Sequence, residues 1–352
     1  MTWHIIGHKK SINILDRSLK KNRLSHCYLL VGPPNIGKTT IALEIAQAVN
    51  CTENDKPCGE CNQCLRIAKH IHSDVQIISL ETATSEGEIK KKKTEISIND
   101  IREMQKSAYL KPFEGTCRVF IIKTVEQLSI EAANCLLKTL EEPPSQVIVI
   151  LLSNTNTSNL MQTIVSRAQI IRLSLLPTSL VAEHIQKHSD LNTEQLHQIA
   201  NLSRGRIGWA IRVIKNPEIL TVRQKTIQGI LDVLNGDLFN KFEYASNLAN
   251  MFARNRESVR EELEMWISIF RDILIIKQGS EEWVNNLSEL NILKINASKA
   301  NSSKLIDDLK QIDIAWSQLS QNVNARLCLE NLMLNITSFN ENPINNFTKV
   351  TS

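Results

Sequence analysis

Leu29-Leu30-Val31-Gly32-Pro33-Pro34-Asn35-Ile36-Gly37-Lys38-Thr39-Thr40, followed by the helix-forming run Ile41 to Val49, is the stretch on which the fold of this chain turns. Apolar β-type residues lead into the pattern G-x-x-x-x-G-K-T and a helix follows at once, which is the strand, loop and helix context that pattern requires. Gly32 and Gly37 permit backbone conformations that turn several amide N–H groups inward, and the following helix adds the positive end of its dipole. Such donors suit a polyphosphate. Lys38 is expected to bring its ammonium to the β- and γ-phosphates, and the Thr39 hydroxyl to ligate Mg²⁺. ATP with Mg²⁺ is therefore the expected cofactor, and Gly32 through Thr40 the expected binding set. A plain Gly/Pro turn before a helix is the alternative, and the full motif with both flanks speaks against it.

Outward from this loop, apolar β-type runs recur at Val75 to Ser79, Arg118 to Ile122, Val147 to Leu152 and Ala168 to Leu173, with Cys27 to Val31 ahead of them. Continuous apolar runs separated by helical stretches predict a parallel sheet covered on both faces, an α/β nucleotide-binding domain over residues 1–175. Past Leu175 the pattern turns helical. Leu196, Ile199 and Ala200 form one stripe before a turn at Gly205, which predicts a small helical domain over 176–215. Val259, Leu263, Trp266, Ile267, Phe270, Ile273 and Leu274 repeat at helical spacing and predict a helical domain over 216–340, with a frayed polar tail over 341–352. A length of 352 residues makes several domains the natural division.

Hydrophobic residues make up 42% and charged residues 22%, ordinary globular values that leave ample material for cores. The opening MTWHIIGHKK lacks the apolar run of a secretory signal, and no stretch approaches the roughly 18 apolar residues of a spanning helix, so a cytoplasmic protein is expected. A net charge of +4 does not by itself announce nucleic-acid binding. The run Lys90 to Lys93, flanked by acids and without apolar neighbours, predicts a solvated loop from Glu86 to Glu95.

Four of the eight cysteines cluster as Cys51, Cys58, Cys61 and Cys64. Four thiolates within fourteen residues complete a tetrahedral Zn²⁺ shell with no open position, and a closed shell is structural. Pro57 and Gly59 favour the tight turns that gather such ligands. The spacing also admits an Fe–S cluster. Cys27, Cys117, Cys135 and Cys328 stand singly among apolar neighbours and read as small buried hydrophobes.

A phosphate loop whose helix runs into a four-cysteine module resembles the bacterial DNA polymerase III clamp-loader AAA+ family. The likeness spans most of the chain: Ile6-Gly7-His8, Arg23 to Leu30, His72-Ser73-Asp74-Val75, Asn134 through Leu140-Glu141-Glu142-Pro143-Pro144, and Asn322 to Glu330, which is similar to the end of that family's collar domain. The resemblance implies an AAA+ domain, a helical lid and a collar that holds subunits in a ring. It also implies partners: gamma/tau motor subunits and delta in a hetero-pentamer, the sliding clamp, and primed DNA through the assembly. Ser166-Arg167-Ala168 corresponds to the family's Ser-Arg-Cys motif, with Ala in place of Cys. Arg167 is by that likeness an arginine finger acting in trans, a guanidinium that neutralises charge on a neighbour's transferred phosphoryl group.

The chain departs from a motor subunit at two places. Where a motor continues its third sheet strand into Asp-Glu, which holds Mg²⁺ and orients the attacking water, this chain reads Lys123-Thr124. Glu126, two residues on, reads as a solvated acid at a helix start. Where a motor places an arginine against the γ-phosphate, the chain has Gly208, with Arg204 and Arg206 nearby. Ser153 or Asn154 supplies the polar residue at the end of the fourth strand. Phosphoryl transfer depends on positioning and electrostatics, so this pattern implies nucleotide binding without competent hydrolysis in a stationary member of the ring. A motor subunit that hydrolyses ATP itself, and a zinc-stapled scaffold with a vestigial loop, are the alternatives.

Overall fold

The computed structural model describes residues 3–21, 23–80, 82–83, 89–90, 95–189, 191–321 and 323–339. Two compact units divide the chain, Met1–Ile214 and Lys215–Ser352.

The first unit holds strands β1 (Cys27–Val31), β2 (Val75–Ile78), β3 (Thr82–Ala83), β4 (Ile89–Lys90), β5 (Arg118–Ile122), β6 (Val147–Ser153) and β7 (Gln169–Arg172). Five of them form one parallel sheet in the order β2-β5-β6-β1-β7. Its helices are α1 (Lys9–Lys20), α2 (Lys38–Asn50), α3 (Asn62–Ala68), α4 (Ile98–Ala108), α5 (Ile130–Glu141), α6 (Gln162–Val165), α7 (Thr178–Gln186), α8 (Thr193–Ser203) and α9 (Ile207–Lys215).

The period-2 alternation of the strands sorts their side chains onto two faces. Leu29, Phe120, Ile122, Val149 and Leu151 share a core with Ile101 and Met104 of α4 and Leu136 of α5. Tyr28, Leu30, Val119, Ile121, Ile148 and Ile150 share another with Leu15 of α1 and Ile41 and Ile45 of α2. Both faces are covered, which is why β1 and β6 are buried at every residue and read as unbroken apolar runs.

β1 lies between β6 and β7, yet the chain leaves it for β2 at the far edge. That reversal opens the crevice beyond the carboxyl end of β1 where ligands of open α/β sheets bind. Pairing of Val31 with Ser153 and of Ile122 with Leu151 brings the carboxyl ends of β1, β6 and β5 to the same rim.

β3 and β4 pair antiparallel, Ala83 opposite Ile89, and β4 lies inside the stretch from Glu86 to Glu95 that polarity predicts to be a loop. Two-residue strands leave no periodicity to read. Residues 84–88 and 91–94, and with them Lys91 to Lys93, lie outside the described residues, as does the tail from Asn340.

The described part of the second unit is helical: α10 (Glu218–Asn235), α11 (Leu238–Arg254), α12 (Arg256–Lys277), α13 (Leu290–Lys299), α14 (Ser302–Ser320) and α15 (Ala325–Asn335). α12 is the central element, packed against α10, α11, α13 and α14. Val259, Leu263, Trp266, Phe270 and Ile273 are buried along it, while Ile267 and Leu274 are half-buried at the edge of the stripe. Two buried acids are found among the described residues of this unit, Asp272 and Asp308; Asp272 accepts from the N–H groups of Asn285 and Asn286 and from the Asn286 amide, so its charge is spread over donors.

Candidate functional site

The loop after β1 is shaped by close approach. The Gly32 N–H donates to the Ser153 carbonyl at 3.2 Å. A Cβ on Gly32 would lie 2.5 Å from the Leu173 carbonyl oxygen, so only glycine fits. Gly37, at φ +103°, takes a backbone conformation that L side chains rarely adopt, and Asn35 also has positive φ, at 61°. Lys38 opens α2 and is buried, its Nζ donating to the carbonyls of Gly32 and Pro33 at 2.6 Å each. The loop thus curls around its own ammonium. Thr39 is half-buried and Thr40 exposed in the first turn of α2.

Two other segments touch this loop. The His8 ring Nε2 meets the Ile36 carbonyl at 3.2 Å; burial holds the imidazole below its usual range against that bond, so His8 is neutral near pH 7. The Gly208 N–H, in the first turn of α9, donates to the Asn35 carbonyl at 2.8 Å, and a Cβ there would lie 2.9 Å from that oxygen. The absence of a side chain at 208 is what lets the helix terminus rest on the phosphate loop. Arg204 and Arg206, half-buried, bracket Gly205, at φ +77°.

Lys123 and Thr124 stand at the carboxyl end of β5 and present no carboxylate. The Lys123 N–H donates to the Ile78 carbonyl, and the Thr124 hydroxyl to the Lys123 carbonyl. Glu126 corrects the expectation of a solvated acid. Its Oε1 accepts from the Asn154 N–H at 3.0 Å, and its Oε2 is shut off from solvent without a hydrogen-bond partner. Glu126 and Asn154 are 28 positions apart, so no local pattern could reveal the pair. Ser153 is fully buried and its hydroxyl is committed to Thr155.

Arg167 follows α6 and is one-third exposed. Its Nη2 pairs with Glu141 Oε1 at 2.6 Å, and its Nη1 donates to the Thr163 carbonyl at 2.9 Å and the Ser166 hydroxyl at 3.2 Å.

Cys51 caps the end of α2, Cys61 caps the start of α3, and Cys64 lies in α3. The four sulfurs of Cys51, Cys58, Cys61 and Cys64 lie within 4.8 Å of one another, with 3.9 Å between Cys51 and Cys61 and between Cys58 and Cys64. A tetrahedral Zn–S shell has edges of about 3.8 Å, so the donor set fits zinc. Gly59, at φ +77°, makes the turn between Cys58 and Cys61. The Cys61 thiol sits in the N-terminal turn of α3: burial raises its pKa, but donors from Cys64 and Thr52 outweigh that and lower it to about 6. A thiolate there is ready for a metal.

The module is bolted to the sheet by a polar knot. Gln47 of α2 donates to the Cys64 carbonyl at 2.8 Å. Gln63 of α3 accepts from His72 Nε2, and His72 Nδ1 accepts from the Asp74 N–H. Asp74, buried ahead of β2, accepts from the N–H groups of Phe113, Glu114 and Gly115 at 2.7 to 2.8 Å, and Glu114 pairs with Arg66 at 2.6 Å. His72 and Asp74, singled out by sequence likeness, thereby lock the cysteine module to the turn before β5.

Comparison with known proteins adds the following. A family model described as DNA polymerase III, delta subunit, matches residues 7–177, and one described as DNA polymerase III, delta subunit, C terminal, matches residues 230–338. The chain is similar to DNA polymerase III subunit delta' of Bacillus subtilis (strain 168), 26% identical over 324 residues, 92% of this chain and 94% of that protein. It is also similar to DNA polymerase III subunit tau of the same strain, 29% identical over 292 residues, 78% of this chain and 50% of that protein. DNA polymerase III subunit tau/gamma of Haemophilus influenzae is 28% identical over 274 residues, 74% of this chain and 38% of that protein.

Proposed function

The chain belongs to the DNA polymerase III clamp-loader family, and from that membership we propose that it is the delta-prime member, a subunit that holds a nucleotide without hydrolysing it and serves hydrolysis next door. The observation that carries this reading is the mismatch within one site. The phosphate loop is intact from Gly32 to Thr39, yet the end of β5 offers Lys123 and Thr124 where a motor needs carboxylates. Gly208 adds to it, since the Asn35 carbonyl fills the space where a γ-phosphate arginine would start. Glu126 is a poor substitute base, because one of its oxygens is held by the Asn154 N–H and the other is shut off from solvent.

In this reading Lys38 leaves the Gly32 and Pro33 carbonyls for the β- and γ-phosphates, and Thr39 ligates Mg²⁺. The cysteine module binds one structural zinc, which contributes a rigid closed shell and no chemistry of its own. Residues 176–215 act as the lid and 216–340 as the collar. Arg167 reaches the ATP site of a gamma/tau motor subunit in a cytoplasmic hetero-pentamer that places the sliding clamp on primed DNA.

Single-turnover hydrolysis tests the first half. The isolated chain is expected to bind ATP, seen as a rise in Tm, and to release no phosphate above a Lys38→Ala background. Turnover that disappears in Lys38→Ala identifies a motor subunit instead, and no ATP-dependent change in Tm identifies a scaffold. Reconstitution tests the second half: with Arg167→Ala, the ATPase rate of the assembled complex falls by at least the share of the one site it serves.

A further inference from the structure

The Leu140-Glu141-Glu142-Pro143-Pro144 stretch is one of the chain's most distinctive, and neither the nucleotide site nor the cores account for its acids. Pro143 stops α5, leaving Glu141 in the last turn. An acid there opposes the negative end of the helix dipole, so helix stability does not explain it. What Glu141 does touch is the guanidinium of Arg167, at 2.6 Å. With Nη1 on the Thr163 carbonyl and the Ser166 hydroxyl, both terminal nitrogens of Arg167 are engaged within its own chain.

We propose that Glu141 is a latch for Arg167: it parks the guanidinium in the unassembled subunit and gives it up to the triphosphate of the neighbouring subunit. This rests on the reading of Arg167 as a finger acting in trans. The exposures set the strength of the latch. Side chains that are 34% and 49% exposed form a weak, salt-screened pair. A triphosphate carries several charges where the carboxylate carries one, and it offers paired oxygens to the planar fork of an arginine, so it outcompetes the latch. Glu141 is a positioning residue, and it touches no substrate.

The test has two readouts. In the free chain, modification of Arg167 by phenylglyoxal is followed by peptide mass spectrometry. Glu141→Ala is expected to speed it about 1.5- to fivefold, the range for loss of one exposed ion pair, and Glu141→Asp to restore the slow rate. In the complex reconstituted with motor subunits, the Glu141→Ala ATPase rate is expected to equal or exceed that of the wild type, while Arg167→Ala lowers it. An unchanged modification rate in Glu141→Ala overturns the latch. So does an ATPase rate for Glu141→Ala that falls to the Arg167→Ala level in a fully assembled complex, since Glu141 would then be holding the finger in its working pose. If Arg167→Ala itself leaves the rate unchanged, the finger is overturned and the latch with it.

Discussion

Single side chains in the first unit carry consequences well beyond their neighbours. Asp74 binds three backbone N–H groups of the 113–115 turn from a buried position. Burial alone would raise its pKa, but those donors and Arg118 overcome it and hold the carboxyl below its usual range. A depressed acid stabilises the fold above its unfolded pKa and is lost as pH falls through the folded value. Asp74→Ala is expected to cost about 3 kcal/mol, read by urea unfolding at pH 7, because it leaves buried donors without an acceptor. Glu44 has the opposite sign. Both its oxygens accept from the His4 N–H at 3.1 Å, yet burial dominates and raises its pKa to about 7. Its contribution is complete below about 4.5 and disappears as pH rises through 7, so Glu44→Gln should flatten the fall of Tm across that window and raise Tm at pH 8. An identical pH profile for the variant would show that Glu44 is not buried as described.

At the scale of elements, the contact between α9 and the phosphate loop is set by a missing side chain. With 2.9 Å between a Cβ at 208 and the Asn35 oxygen, Gly208→Ala must push the helix terminus away and weaken the 2.8 Å bond from its N–H. A loss of about 1–3 kcal/mol is expected, the usual range for overpacking, with a measurable drop in Tm. A Tm within experimental error of the wild type would mean that the helix does not rest on the loop in solution. The cysteine module is the second element-scale case. It is short, with Cys64 and Ile67 the buried residues of α3, so its own core is small. Elemental analysis is expected to find one zinc per chain. Chelation, or Cys61→Ser, should release the module and lower Tm while far-UV circular dichroism keeps the signal of the sheet and the larger helices.

For the whole molecule, two units with separate cores predict separate behaviour. Residues 1–214 are expected to fold alone, keep an ATP-dependent rise in Tm and fail to join the complex in native mass spectrometry, because the proposed function gives the helical unit the role of holding the subunits. Assembly of 1–214 with motor subunits would remove the collar role from residues 216–340. Much of this organisation is written in the sequence. The five sheet strands are legible because a parallel sheet buried on both faces demands unbroken apolar runs, and β1 and β5 begin and end where those runs do, at Cys27, Val31, Arg118 and Ile122. The phosphate loop and the four cysteines are legible because their chemistry fixes spacing over a few residues. The partnerships are not legible. Glu126 with Asn154, Gly208 with Asn35, Asp74 with the 113–115 turn, and Arg167 with Glu141 each join residues 26 to 173 positions apart. No local period records which of them meet, because it is strand order and helix packing that bring them together. The sequence determined which candidate groups for phosphate and metal this protein carries, because their chemistry fixes short spacings; the tertiary structure decided which of them meet and which, like Lys38 and Arg167, are held by their own chain, because strand order and helix packing set the long-range partners.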